Sequence, residues 1–95
     1  MIRHTVTFRL RHPLGSAAES NFLEAAKKLS SIPTVQKFEA LRQVSPKNPY
    51  TLGLSMEFAS NADYLFYVGH PDHDLFVKTR WPEVVEFLEL DYEVI

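Results

Sequence analysis

The segment Tyr67-Val68-Gly69-His70-Pro71-Asp72-His73 places three rings that can share or carry protons within seven residues. An imidazole changes charge near neutral pH. A histidine held by a carboxylate or carbonyl can therefore take a proton from carbon or oxygen, and a tyrosine can bind the oxyanion that forms. By spacing alone the two histidines also read as ordinary surface residues at a helix start, since His70 precedes Pro71 and His73 is bracketed by Asp72 and Asp74. His4 changes that balance. It falls between Ile2 and Val6 on the apolar side of an alternating strand, where an imidazole without a partner is costly to bury. A single histidine there can be satisfied by backbone. A second histidine and a tyrosine, on a segment that must pack over the same sheet, point instead to a shared polar pocket. His4, Tyr67 and His73 are the candidate catalytic residues, and His70, Phe22, Tyr50, Met56 and Phe76 are expected to complete the surroundings of a ligand.

Other chemistries fit less well. His70 and His73 straddle a helix start, so with His4 they lack the one-face spacing of a helical zinc pair, and no carboxylate is obviously placed as a fourth ligand. No metal and no cofactor is expected. Arg80 and Trp81 could meet an acidic or aromatic ligand, but a Trp beside a Pro reads more readily as a core plug. Glu86 and Glu89 resemble a carboxylate pair, yet their place at a helix-to-strand junction reads as a solvated edge rather than a glycosidase site.

The elements that must position these residues belong to one domain, residues 1–95. With 45% hydrophobic and 23% charged residues the chain has the balance of a soluble globular protein, small enough that a partner subunit would help it. It has no Cys, which removes disulfides, thiolate metal sites and cysteine nucleophiles. Ten basic against twelve acidic side chains, with no basic run longer than Lys27-Lys28, argue against nucleic acid. No apolar stretch approaches the roughly 20 residues of a membrane-spanning helix, and the arginines among the first residues do not read as a signal peptide. A cytoplasmic protein is expected.

Ile2 to Leu10 alternate as a half-buried strand. Ser16-Ala17-Ala18-Glu19 has the spacing of a capping box. The helix it opens carries Ala18, Phe22, Ala25, Leu29 and Ile32 on one stripe, points Glu19 elsewhere, and stops before Pro33. A second strand, imperfect in its alternation, is expected over Val35–Val44, and a third, cleanly alternating and central, over Tyr50–Phe58. Ser60 caps a helix to about Gly69, apolar almost all round and so covered on more than one side. Pro71 starts a further piece to Arg80. After a turn through Glu86, Leu88, Leu90, Tyr92 and Val94 alternate with Glu89, Asp91 and Glu93 as a last strand. The order βαββαβ predicts an α+β, ferredoxin-like, four-stranded antiparallel sheet with helices on one face. The other face, read as Arg3, Thr5, Thr7, Arg9, Thr51, Ser55, Glu57, Glu89, Asp91 and Glu93, is polar and expected to meet water.

The opening Ile2-Arg3-His4-Thr5-Val6-Thr7-Phe8-Arg9-Leu10, the Ile32-Pro33-x-Val35 turn, Met56-Glu57-Phe58, Tyr67-x-x-His70-Pro71-x-His73 and the closing Asp91-Tyr92 resemble the stress-responsive A/B barrel domain family, or Dabb. The resemblance implies dimers whose two sheets face each other to close an α+β barrel, which would turn the polar sheet face into a homodimer interface. It also implies a pocket between sheet and helices. In plant polyketide cyclases of this family the matching positions are His4, Tyr67 and His73: His73 would be the general base, and Tyr67 and His4 would orient it or polarise a carbonyl. Two departures stand out. Asp72 and Asp74 would tend to keep His73 protonated, and Ala25 and Ala26 put no polar ring on the first helix. The resemblance thus implies a small-molecule-binding, stress-linked dimer. The alternatives are a cyclase-like or lyase enzyme acting on a β-keto substrate, and an assembly protein without ligand.

Overall fold

Strand β1 (Ile2–Leu10) buries His4, Val6, Phe8 and Leu10 on one face, as its alternation requires. The computed structural model describes residues 1–95. Helix α1 (Ala17–Lys27) follows and tightens into a 3-10 turn over Lys28–Ser31, ending at Ile32 before the proline. Then come β2 (Gln36–Arg42), β3 (Leu52–Phe58), α2 (Asn61–Val68), α3 (Pro71–Thr79), a 3-10 turn over Trp81–Glu83, and β4 (Val84–Tyr92). The four strands are antiparallel in the order β2-β3-β1-β4, so β1 and β3 are central. The helices cover one face of this ferredoxin-like α+β sheet. Phe22, Ala26 and Leu29 from α1 and its extension, Tyr67 from α2 and Phe76 from α3 form one core with the inward residues of β1 and β3.

Local chemistry explains where the elements begin. Ser16 Oγ accepts from the Glu19 amide at 3.2 Å and Ser60 Oγ from the Asp63 amide at 3.2 Å, each satisfying an orphan helix donor. The Ser16 box is only half formed. Glu19, expected to point away from the core, is buried, and its carboxylate accepts from Arg42 Nη2 at 2.6 Å, tying α1 to β2. Ala18, expected on the inward stripe, is exposed, and Ala26 is fully buried. The uneven alternation of β2 has a cause: Lys37 takes φ 50°, and the register with β3 shifts between Gln36 and Glu39. The strand ends at Arg42 rather than Val44, because Gln43 turns its side chain to the Ser45 and Tyr50 carbonyls. Helix α2 is covered on one side only, with Leu65 and Phe66 exposed.

The largest departure is in β4, which starts at Val84 and pairs with β1. Residues opposite each other across an antiparallel pair share a face. Asp91 lies opposite His4, Glu89 opposite Val6 and Phe87 opposite Phe8, so the two carboxylates expected in water lie on the helix side of the sheet. Tyr92, Leu90 and Leu88 lie opposite Arg3, Thr5 and Thr7 and take the outer face, each close to half exposed. An apolar stripe thus crosses the face that alternation alone marked as polar.

Phe22 is fully buried, with ring centroids 5.6 Å from Phe8 and 5.5 Å from Phe76. Phe22→Ala is expected to cost about 3–5 kcal/mol in urea unfolding, the usual range for a large aromatic in a core. A loss below about 1 kcal/mol would mean the ring is not packed in the core as these distances require.

Candidate functional site

Between the sheet and helices α2 and α3 lies a cavity of about 380 Å³. Its walls are mostly apolar, from Leu54, Met56, Phe76, Trp81 and Phe87 among others, and its polar groups are His4, His73, Glu89 and the two tyrosines Tyr64 and Tyr67. No Lys or Arg lines it.

Each polar group is held by a specific element. His4 is buried on β1, and its Nδ1 donates to Asp91 Oδ1 at 2.5 Å, with Glu89 Oε1 at 3.8 Å. A carboxylate on Nδ1 sets the ring's orientation and leaves Nε2 as its other hydrogen-bonding atom. The ring packs 5.3 Å from Tyr64 and 6.1 Å from Tyr67. Burial raises the Tyr67 hydroxyl far above the ordinary phenol range, with Tyr64 and Glu89 adding to the effect. Burial, helped by Asp91 and Glu89, raises Tyr64 to about 12, and its hydroxyl donates to Glu89 Oε1 at 3.4 Å. Both phenols are therefore neutral hydrogen-bond donors.

His73, on the first turn of α3, packs its ring 4.6 Å from that of Tyr67 and meets the Val68 carbonyl at 3.1 Å through Nδ1. A carbonyl only accepts, so Nδ1 carries the proton and a neutral ring presents the Nε2 lone pair. Burial lowers the His73 pKa below the ordinary imidazole value of 6.5. The Val68 carbonyl opposes this, His4 adds to it, and Glu89 and Asp74 oppose it. The protonated His73 anticipated from its acidic neighbours is thus overturned. Asp74 is turned to Lys78 Nζ at 3.0 Å and Asp72 lies against His70, so neither outweighs desolvation.

Of the residues expected from sequence, His4, Tyr67, His73, Met56 and Phe76 lie around one cavity. Three others do not. His70 caps α3, accepting the Asp72 amide on Nδ1 at 3.1 Å, and so points along the helix start. Phe22 is sealed in the core behind the cavity. Tyr50 belongs to the turn before β3, where its amide donates to Asn48 Oδ1 at 3.0 Å. Sequence reasoning missed Asp91, Glu89 and Tyr64. A buried His4 demanded a polar partner, and Asp91 was within reach of such an argument, but only strand pairing shows that β4 turns its acidic side inward. The same pairing puts Glu86 opposite Arg9 and Glu89 opposite Val6, on opposite faces, so these two glutamates form no pair. His4, Glu89 and Asp91 hold ligand atoms within 4.8 Å of one another and are the residues that could hold a metal ion. The imidazole nitrogen of that trio is already engaged by Asp91.

The stress responsive A/B barrel domain model matches residues 2–94. The chain belongs to this family. A Dabb family protein of ferredoxin-like fold from Mesorhizobium loti is 55% identical, with a TM-score of 0.97 over 99% of this chain and 96% of that one. Two more distant structures share the fold. The hydroxynitrile lyase of Passiflora edulis is 21% identical with a TM-score of 0.87, over 99% of this chain and 93% of its own. A dimeric ferredoxin-like protein of unknown function from Thermobifida fusca is 18% identical with a TM-score of 0.81, over 98% and 90%. No curated protein matches the sequence. No helix of this A/B barrel domain is long and apolar enough to cross a membrane.

Folding lowers the pKa of His73, so the neutral ring favours the folded state. That contribution is present above pH 6.5 and is lost as pH falls through the lower folded value. A proton NMR titration is expected to place the His73 midpoint below 6.5, and a midpoint at or above 6.5 would contradict the desolvation described here.

Proposed function

We propose that this A/B barrel protein is a cytoplasmic, stress-linked homodimer that binds a small organic molecule in the cavity of each subunit. The observation that carries the reading is the hollow of about 380 Å³, apolar over most of its wall with its polar groups gathered around His4 and His73. Ligand sites are typically about 300–1,000 Å³, largely apolar, with a few polar groups that fix orientation. A space of this size argues against a protein that only assembles, since one water needs roughly 30 Å³. His4, Tyr67 and His73 would contact the ligand's polar atoms, and Met56 and Phe76 its apolar body.

The dimer rests on the outer sheet face. Leu88, Leu90 and Tyr92 from β4 and Leu41 from β2 are each close to half exposed there, beside an Arg3–Glu57 ion pair at 3.5 Å. A second sheet laid on this face would bury that stripe while the charged rim stays wet. The Thermobifida fusca relative is described as dimeric.

A second reading is favoured by the state of His73, neutral with its Nε2 lone pair free. Such a base takes a proton from a carbon beside a carbonyl, and the electron pair moves onto the carbonyl oxygen, where neutral Tyr67 donates a hydrogen bond to the enolate. His4, fixed by Asp91, would orient or polarise the same carbonyl. That chemistry serves a cyclase-like or lyase reaction on a β-keto compound, and the hydroxynitrile lyase of the same fold is an enzyme by name.

Native mass spectrometry after mild purification is expected to give a dimer carrying a small-molecule mass increment, and Leu90→Arg is expected to give monomer. A wild-type monomer would overturn the dimer. Incubation with a poly-β-keto thioester separates the two roles: His73-dependent product, lost in His73→Ala by about 100-fold or more, marks the enzyme. No product, with a retained ligand, leaves binding alone.

A further inference from the structure

Glu89 lines the cavity with its side chain 48% exposed, so it stands at the mouth, and Asp91 beside it is 39% exposed. Two carboxylates there face one imidazole, so the cluster is net negative in either charge state of the ring. No cationic side chain offsets it along the walls, and Arg3, near in sequence, is turned to Glu57 on the opposite face of the sheet. The walls are aromatic as well: the rings of Tyr64, Tyr67, Trp81 and Phe87 all line the cavity.

From this arrangement we infer that the cavity selects ligands by charge, accepting an apolar or aromatic body that carries a protonated amine and rejecting carboxylates and phosphates, with Glu89 as the selecting residue. The inference rests on the small-molecule reading above and narrows its ligand class. The physical reasons are two. An ammonium at the mouth gains attraction from Glu89 and Asp91 and from the negative faces of neighbouring rings, whereas an anion there pays repulsion with no basic group to compensate. Burying an anionic head deeper is worse, because His73 is neutral and the tyrosine hydroxyls alone would have to replace its hydration.

Three probes of one skeleton test this: phenethylamine, 2-phenylethanol and phenylacetate, titrated by NMR against the full-length protein while the His73 and Tyr64 ring signals are followed. The amine is expected to bind about tenfold more tightly than the alcohol, and phenylacetate more weakly than either. The amine preference is expected to shrink as salt is raised from 0.05 to 0.5 M, roughly as screening of a half-exposed carboxylate requires. Glu89→Gln is expected to reduce the amine-to-alcohol ratio about fivefold or more, and Glu89→Gln with Asp91→Asn to bring it near one. Circular dichroism and the undisturbed Phe22 and Trp81 ring signals establish that each variant is folded. An alcohol that binds as well as the amine, or a ratio that survives in the double variant, would overturn charge selection and leave the pocket intact. If none of the three shifts the cavity signals, the small-molecule reading falls with it.

Discussion

A buried imidazole cannot be left unpaired, and in this fold the group that pairs with His4 comes from the other end of the chain. Asp91 Oδ1 lies 2.5 Å from His4 Nδ1, across 87 residues of sequence. The contact is possible only because β4 pairs with β1 in the register that sets Asp91 opposite His4. That register fixes the acidic wall of the cavity, the orientation of the His4 ring and the place of the tyrosines that pack against it. Removing the carboxylate would leave a polar ring under the helices with its desolvation uncompensated.

The same register settles the other face of the sheet. Side chains alternate along a strand, so turning Glu89 and Asp91 toward the helices turns Leu88, Leu90 and Tyr92 outward. Site and outer surface are therefore one structural decision. A slip of one residue would carry the leucines into the cavity and the acids onto the open face, removing the partner of His4 and the apolar stripe together. The extra residue Val85, at the register shift opposite Arg9 and Leu10, sets this phase along β4.

Helices α2 and α3 complete the site from above. The break at Gly69–His70 lets α3 restart at Pro71, with His70 spent as the cap, and that restart brings His73 back over Tyr67. The division of labour between the two histidines follows from environment: the buried His4 is tied to a carboxylate, and the half-buried His73 to a carbonyl, with desolvation keeping its ring neutral. One residue type thus supplies an anchored ring and a free lone pair within one cavity. The fold itself hosts unlike activities, so the chemistry has to be argued from these groups.

Much of the fold was legible in the residues. The alternation of β1 and β3, the Ser16 and Ser60 caps, and the Pro33 and Pro71 boundaries are local signals, set by backbone sterics and by hydrogen bonds within one turn. So was the inward placement of His4, because alternation assigns faces wherever the apolar residues mark the core. That rule inverted in β4, whose leucines mark the outer face, and it failed at Glu19, whose burial depends on Arg42 of β2. Phe22 and Tyr50 were misjudged for the same reason: residue type says that a ring is apolar, not which side of a core it fills. By itself the sequence determined the elements, their order and the three rings His4, Tyr67 and His73. Which carboxylates meet them and what the sheet shows outward were decided by strand pairing across the whole chain, and how far His73 is desolvated by the packing of α3 over Tyr67, because those properties depend on neighbours that no local pattern encodes.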